Sequence, residues 1–236
     1  MATEGFKRKL TAILSADVEG YSRLMGEDEE ATVRTLTAYR EVLTTLIQQH
    51  NGKVLDSPGD NLLADFVSVV DAVQCAVAVQ KEIKARNNEL PENRRMQFRI
   101  GINLGDVIEK DGKIYGDGVN IAARMEPLAD AGGICITGRV YDQVANKLDL
   151  EYEYLGEHEV KNVSMPIRVY KVLSHPGAAA HRVVQAKWAA SRQWRKKAFG
   201  AAMVALVALV GVVLWQVYEY SNKEEPASVE TMAFPL

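Results

Sequence analysis

The chain has 236 residues, 47% hydrophobic and 25% charged, which is enough for one well-buried domain with material left over. Its net charge of −3 gives no electrostatic basis for general nucleic-acid binding. Cys75 and Cys135 sit in apolar runs and read as buried free thiols of a reducing compartment, and His50, His158, His175 and His181 lack metal-ligand spacing. The first 30 residues lack the basic start and apolar core of a signal peptide.

Residues 9–17, KLTAILSAD, predict an apolar strand that ends on an acid. Gly20 breaks the pattern, and residues 21–25 predict a short helix. Asp28 is placed to cap a longer helix reaching His50, with Val33, Leu36, Leu43, Leu46 and Ile47 on one face. Residues 52–66, GKVLDSPGDNLLADF, read as a hairpin. Val54-Leu55 is one strand and residues 61–66 the other. Between them Ser57-Pro58-Gly59-Asp60 suits a type II turn, with Pro presetting φ at the second position and Gly taking φ > 0 at the third. Ser68 caps the next helix, with Val69, Val73, Ala76, Val77 and Ile83 inward.

Residues 97–108 alternate as a strand and 109–112 read as a turn. Asp117 or Gly118 opens a helix that runs through Glu126 and stops at Pro127. Residues 133–137 predict a strand, 139–146 a short helix, and 152–155 and 167–172 the last strands. The order β-α-β-β-α-β with an αβ extension predicts an α+β, ferredoxin-like fold: helices on one face of a mainly antiparallel sheet.

The C-terminal part is different. Residues 182–197 carry six basic residues and no acids, so 176–197 read as a basic juxtamembrane linker. Residues 198–218, AFGAAMVALVALVGVVLWQVY, have no charge. As a helix they would span about 31 Å, against a bilayer core of roughly 30 Å, which predicts a transmembrane helix. Glu219, Glu224 and Glu225 follow, with Lys223. The basic side is expected in the cytoplasm, which leaves residues 1–175 as a cytoplasmic domain and 219–236 as a short non-cytoplasmic tail.

Several side chains suit chemistry together. Asp17 ends the first strand and Asp60 sits at the hairpin bend, beside which that strand should lie. Two such carboxylates suit Mg²⁺, a hard ion that prefers oxygen and often shares phosphates with the protein. Residues 18–22 follow Asp17 at a helix start, where free N–H groups favour phosphate. Asn120 and Arg124 are four apart, so they share a helical face; Arg can neutralise an oxyanion and Asn can orient a hydroxyl. Taken singly, each has an ordinary structural reading: strand-end or turn acid, surface arginine, solvated lysine at Lys161.

The stretches LSADVEGYS, GDNLLADF, FRIGINLGDV, YGDGVNIAARME and VKNV together resemble the class III nucleotidyl cyclase catalytic domain of bacterial type, over about residues 8–173. The resemblance implies two Mg²⁺ or Mn²⁺ ions per site at Asp17, Val18 and Asp60. It implies transition-state stabilisation by Asn120 and Arg124, and triphosphate contacts from Lys161 and from Gly20, Tyr21 and Ser22. The implied reaction is attack of a ribose 3′-hydroxyl on the α-phosphate of a nucleoside triphosphate. The implied assembly is a head-to-tail homodimer with sites at the interface, here anchored in a bacterial inner membrane by residues 198–218.

Two positions depart from the family's adenylate cyclases. Asp56 stands where they carry Lys, and Lys113 where they often carry Asp. As base-reading groups the exchanged pair suits guanine, with Lys113 donating to O6 and Asp56 accepting from N1–H and the 2-amino group; cytosine fits too. The other reading is an Asp56–Lys113 salt bridge that leaves the base alone. Glu19 replaces the usual apolar residue near the phosphate region. These departures leave room for a weakly catalytic, cyclase-like dimerisation or nucleotide-sensing domain.

Overall fold

The computed structural model describes residues 7–160, 163 and 165–173. The expected membrane helix at 198–218, its linker, the tail and Lys161 lie outside these residues. Among the described residues no helix is long and apolar enough to cross a membrane.

Eight strands form one sheet: β1 (Lys7–Val18), β2 (Gly52–Asp56), β3 (Leu62–Phe66), β4 (Phe98–Lys110), β5 (Lys113–Tyr115), β6 (Ile134–Thr137), β7 (Glu151–His158) and β8 (Ile167–Leu173). The order is β2-β3-β1-β4-β6-β8-β7, with β5 paired to β4. Only β4–β6 is parallel among these pairs. The helices are α1 (Tyr21–Glu27), α2 (Glu29–Gln49), α3 (Val69–Asn87), α4 (Asp117–Met125) and α5 (Gly138–Val144). The β-α-β-β-α-β unit is therefore present, with extra elements around it.

Alternation along β1 decides what each face of the sheet carries. Ala12, Leu14, Ala16 and Val18 point into the main core, with Phe98, Ile100 and Ile102 of β4. Leu36, Leu43 and Ile47 of α2 and Val73, Ala76 and Ile83 of α3 close that core. Ile13, between them on β1, belongs to a second cluster with Val107, Ile114 and Ala122. Helix α4 thus packs on the opposite face, which corrects the expectation of helices on one side only.

Local chemistry explains most element ends. The Asp28 side chain accepts from the Ala31 N–H at 3.0 Å, and the Ser68 hydroxyl from the Asp71 N–H at 3.2 Å. The Ser68 cap is worth about 1 kcal/mol. On α2 the buried stripe is Thr32, Leu36, Tyr39, Leu43 and Ile47. Val33 was expected inward but is 47% exposed, because it lies one residue, about 100°, off that stripe.

The hairpin turn is shifted by one residue. The Asn61 N–H donates to the Pro58 carbonyl at 3.0 Å, and Gly59, with φ 59°, is the first central residue, not the second. Positive φ there is the pattern of a type II′ turn, whose twist matches antiparallel strands better than type II. The turn expected at residues 109–112 is present, with positive φ at Asp111 and Gly112. It leads into β5, a strand of three residues and too short to show a period.

Candidate active site

Asp17 and Asp60 come together as the topology requires. β3 lies antiparallel to β1, so the β2–β3 turn reaches the end of β1. There Asp60 Oδ2 accepts from the Val18 N–H at 3.3 Å. The turn is held from behind by Arg40 of α2, whose Nη2 donates to the Ser57 carbonyl at 3.1 Å and to the Gly59 carbonyl. Asp17 faces Arg99 across the β1–β4 ladder. Arg99 Nε donates to Asp17 Oδ1 at 3.0 Å, and Arg99 Nη2 to Oδ2. That fork fixes the carboxylate while leaving each oxygen a further lone pair.

One rung below, Ser15 faces Gly101. Glycine is required there, because a Cβ would overlap the Ala122 carbonyl oxygen and stand 2.8 Å from the Glu126 N–H nitrogen. The gap lets the end of α4 and the following turn (Glu126–Leu128) lie on the sheet. Glu126 is only 6% exposed. Burial pushes its carboxyl up to about 7, opposed by the Ser15 hydrogen bond and reinforced by the negative charge of Asp17. Its Oε1 is buried without a hydrogen-bond partner among the described residues.

Asp56 and Lys113 also meet. Lys113 Nζ lies 3.7 Å from Asp56 Oδ2, both side chains about half exposed. Asp56 Oδ1 accepts from the Ser57 N–H at 2.9 Å. Asn120 and Arg124 lie on α4, the first exposed and the second half-buried. Gly20 precedes α1, while Tyr21 and Ser22 open it. Of the N–H groups expected to meet phosphate, Val18 is engaged by Asp60 and Glu19 donates to the Gln97 carbonyl at 2.9 Å. A cavity of about 460 Å³ opens beside α4, lined by Asn103, Asp106, Tyr115, Asp117, Ile121 and Arg139; it contains none of the expected site residues.

Two oxygen donors beside an orphaned buried oxygen fit a hard divalent cation. Among the described residues no three His, Cys, Asp or Glu side chains could hold an ion unaided. Mg²⁺ keeps several waters and takes substrate phosphates, so it does not require three protein acids.

The model of the adenylate and guanylate cyclase catalytic domain matches residues 7–174. The chain belongs to this family. This cyclase domain is 45% identical over 171 residues to "Putative adenylate cyclase 3" of Rhizobium meliloti (strain 1021). That match covers 72% of the chain and 29% of the relative, so the chain corresponds to under a third of it. Among solved structures, an adenylate/guanylate cyclase/hydrolase from Silicibacter pomeroyi superposes with a TM-score of 0.68 at 38% identity, over 72% of this chain and 99% of that one. The adenylyl cyclase CyaB from P. aeruginosa shares the fold, with a TM-score of 0.64 at 24% identity over 73% and 97%.

Three residues around the candidate site escaped the sequence reading: Arg40, Arg99 and Glu126. The strand alternation of FRIGIN puts Arg99 on the face of Asp17 once the β1–β4 pairing is known. Glu126 closes YGDGVNIAARME, where it reads as a helix-end acid. Nothing in the sequence marks Arg40.

Proposed function

We propose that this domain is a nucleotidyl cyclase, converting a nucleoside triphosphate to a 3′,5′-cyclic nucleotide and pyrophosphate. The observation that carries the reading is the convergence of Asp17 and Asp60 at the end of β1, tied by the Val18 N–H. Asp17, Val18 and Asp60 would hold two Mg²⁺ or Mn²⁺ ions. Bound there, such ions supply charge stabilisation for the attacking and leaving oxygens. The chain's own work is then positioning and electrostatics. Arg99 holds Asp17, and Arg40 holds the turn that carries Asp60. Arg124 meets the negative charge of the transferring phosphate, Asn120 orients the ribose, and Lys161 with residues 20–22 contacts the triphosphate.

The two groups come from different subunits of a head-to-tail homodimer. Residues 198–218 anchor the chain in a bacterial inner membrane with the domain cytoplasmic; their uncharged length supports this.

Kinship with adenylate cyclases makes ATP the proposed substrate. The Asp56–Lys113 pair favours a second reading, GTP, because the lysine can donate to O6 while the aspartate accepts from N1–H. The test uses the full chain with Mg²⁺ or Mn²⁺ and, separately, ATP, GTP, CTP and UTP, with products identified by mass. One dominant cyclic nucleotide, lost in Asp17→Asn, is expected. No cyclic product from any of the four would overturn the enzymatic reading in favour of a nucleotide-sensing domain.

A further inference from the structure

We propose that Glu126 is a positioning residue of the metal site, its free oxygen accepting a hydrogen bond from a water bound to the ion. This rests on the reading of Asp17 and Asp60 as metal-holding acids. Three observations converge. The Glu126 backbone lies against Gly101, which faces Ser15 across the ladder, two residues before Asp17 on the same strand face and so roughly 7 Å along it. Asp17, Asp60 and Arg99 all lie within electrostatic reach of it. Its second oxygen, in a residue 6% exposed, has no hydrogen-bond partner among the described residues.

Leaving a buried carboxylate oxygen without a donor is costly, so its retention calls for a partner that the fold does not supply. The donor that suits the position is a water polarised by a divalent cation. Among the described residues no three acids are grouped closely enough to hold an ion, and Glu126 is not proposed as a direct ligand. It belongs one layer out, where an acceptor orients the water and adds negative charge. The placement is built by the fold. The bare backbone of Gly101 lets Glu126 descend onto the sheet.

The test is Mn²⁺ binding to the full chain without nucleotide, read by the electron paramagnetic resonance of free Mn²⁺. Glu126→Gln keeps the shape but removes the charge, and should weaken Mn²⁺ about tenfold or more, as losses in the second layer of metal sites do. Glu126→Asp should recover part of that loss, and Ser15→Ala should weaken binding less than Glu126→Gln. Asp17→Asn separates the two ideas. If it abolishes Mn²⁺ binding while Glu126→Gln binds like wild type, the role of Glu126 is wrong and the metal site stands. If Asp17→Asn also binds like wild type, the metal reading itself fails. Should Glu126→Gln not fold, Ser15→Ala and Glu126→Asp decide, and wild-type affinity in both overturns the proposal.

Discussion

At the scale of single residues, Glu126 ties stability to pH. Its carboxyl lies near pH 7 in the folded protein, against an ordinary 4.5, chiefly because burial penalises the charged form. The unfolded chain therefore gives up this proton first as pH rises. Stability from this group is complete below pH 4.5, is lost between 4.5 and about 7, and is level above. The loss comes to about 3 kcal/mol for such a shift. Glu126→Gln has no such proton, so in urea unfolding with chelator its stability should gain on wild type by about that amount between pH 4.5 and 8. Parallel curves for the two proteins would refute the assignment. A substitution that stabilises the metal-free protein while weakening Mn²⁺ is the pattern of a residue kept for function at a cost in stability. At this scale the sequence was partly legible. Asp17 and Asp60 declare themselves by where they end a strand and bend a hairpin, and Asp56 with Lys113 by the charge exchange. Glu126 and Arg99 do not, because their roles depend on strand pairing and on the opening at Gly101, which are contacts distant in sequence.

Among the elements, the β2–β3 hairpin has the most to do with function, and it is tethered by a side chain from elsewhere. Two strands of five residues and a tight turn would be marginal alone. β1 supports one side of it, and Arg40 of α2 binds the carbonyls of Ser57 and Gly59. Arg40→Met keeps much of the apolar stem but removes both charge-assisted bonds, and should cost about 1–3 kcal/mol. Hydrogen exchange should speed up at residues 57–61 and little elsewhere, with product formation falling because Asp60 loses its fixed place. Unchanged exchange in that segment would show that the turn holds itself. Secondary structure was largely readable here because caps and periodicity are local: Asp28, Ser68 and Pro127 mark ends correctly. The turn register was not: the Asn61 N–H closes on the Pro58 carbonyl, which makes Gly59 the first central residue. Nor was the side of the sheet taken by α4, because that face of β1 carries Thr11, Ser15 and Asp17 around the single apolar Ile13 and so does not announce a covering helix.

For the whole molecule, the consequence of a shared site is complementation. In the proposed assembly one chain supplies Asp17 and Asp60, while its partner supplies Asn120 and Arg124. Asp17→Asn and the double variant Asn120→Ala, Arg124→Ala should each be inactive as homodimers, since every site lacks one group. If the two are mixed and allowed to exchange subunits, about half of the dimers carry one of each chain, and each of these has one complete site and one doubly defective one. The mixture should therefore show about one quarter of wild-type activity, half the dimers having half their sites. Complementation should fade on dilution below the dimer dissociation constant, because association sets the amount of complete site. A site built within one chain makes a different prediction: the mixture stays inactive at any ratio and concentration, even with exchange confirmed by mass spectrometry. Neither Asn120 nor Arg124 belongs to the buried set of α4, formed by Gly118, Ala122 and Met125. Recovered activity in the mixture requires both variants to fold, so it would report on where the halves of the site come from.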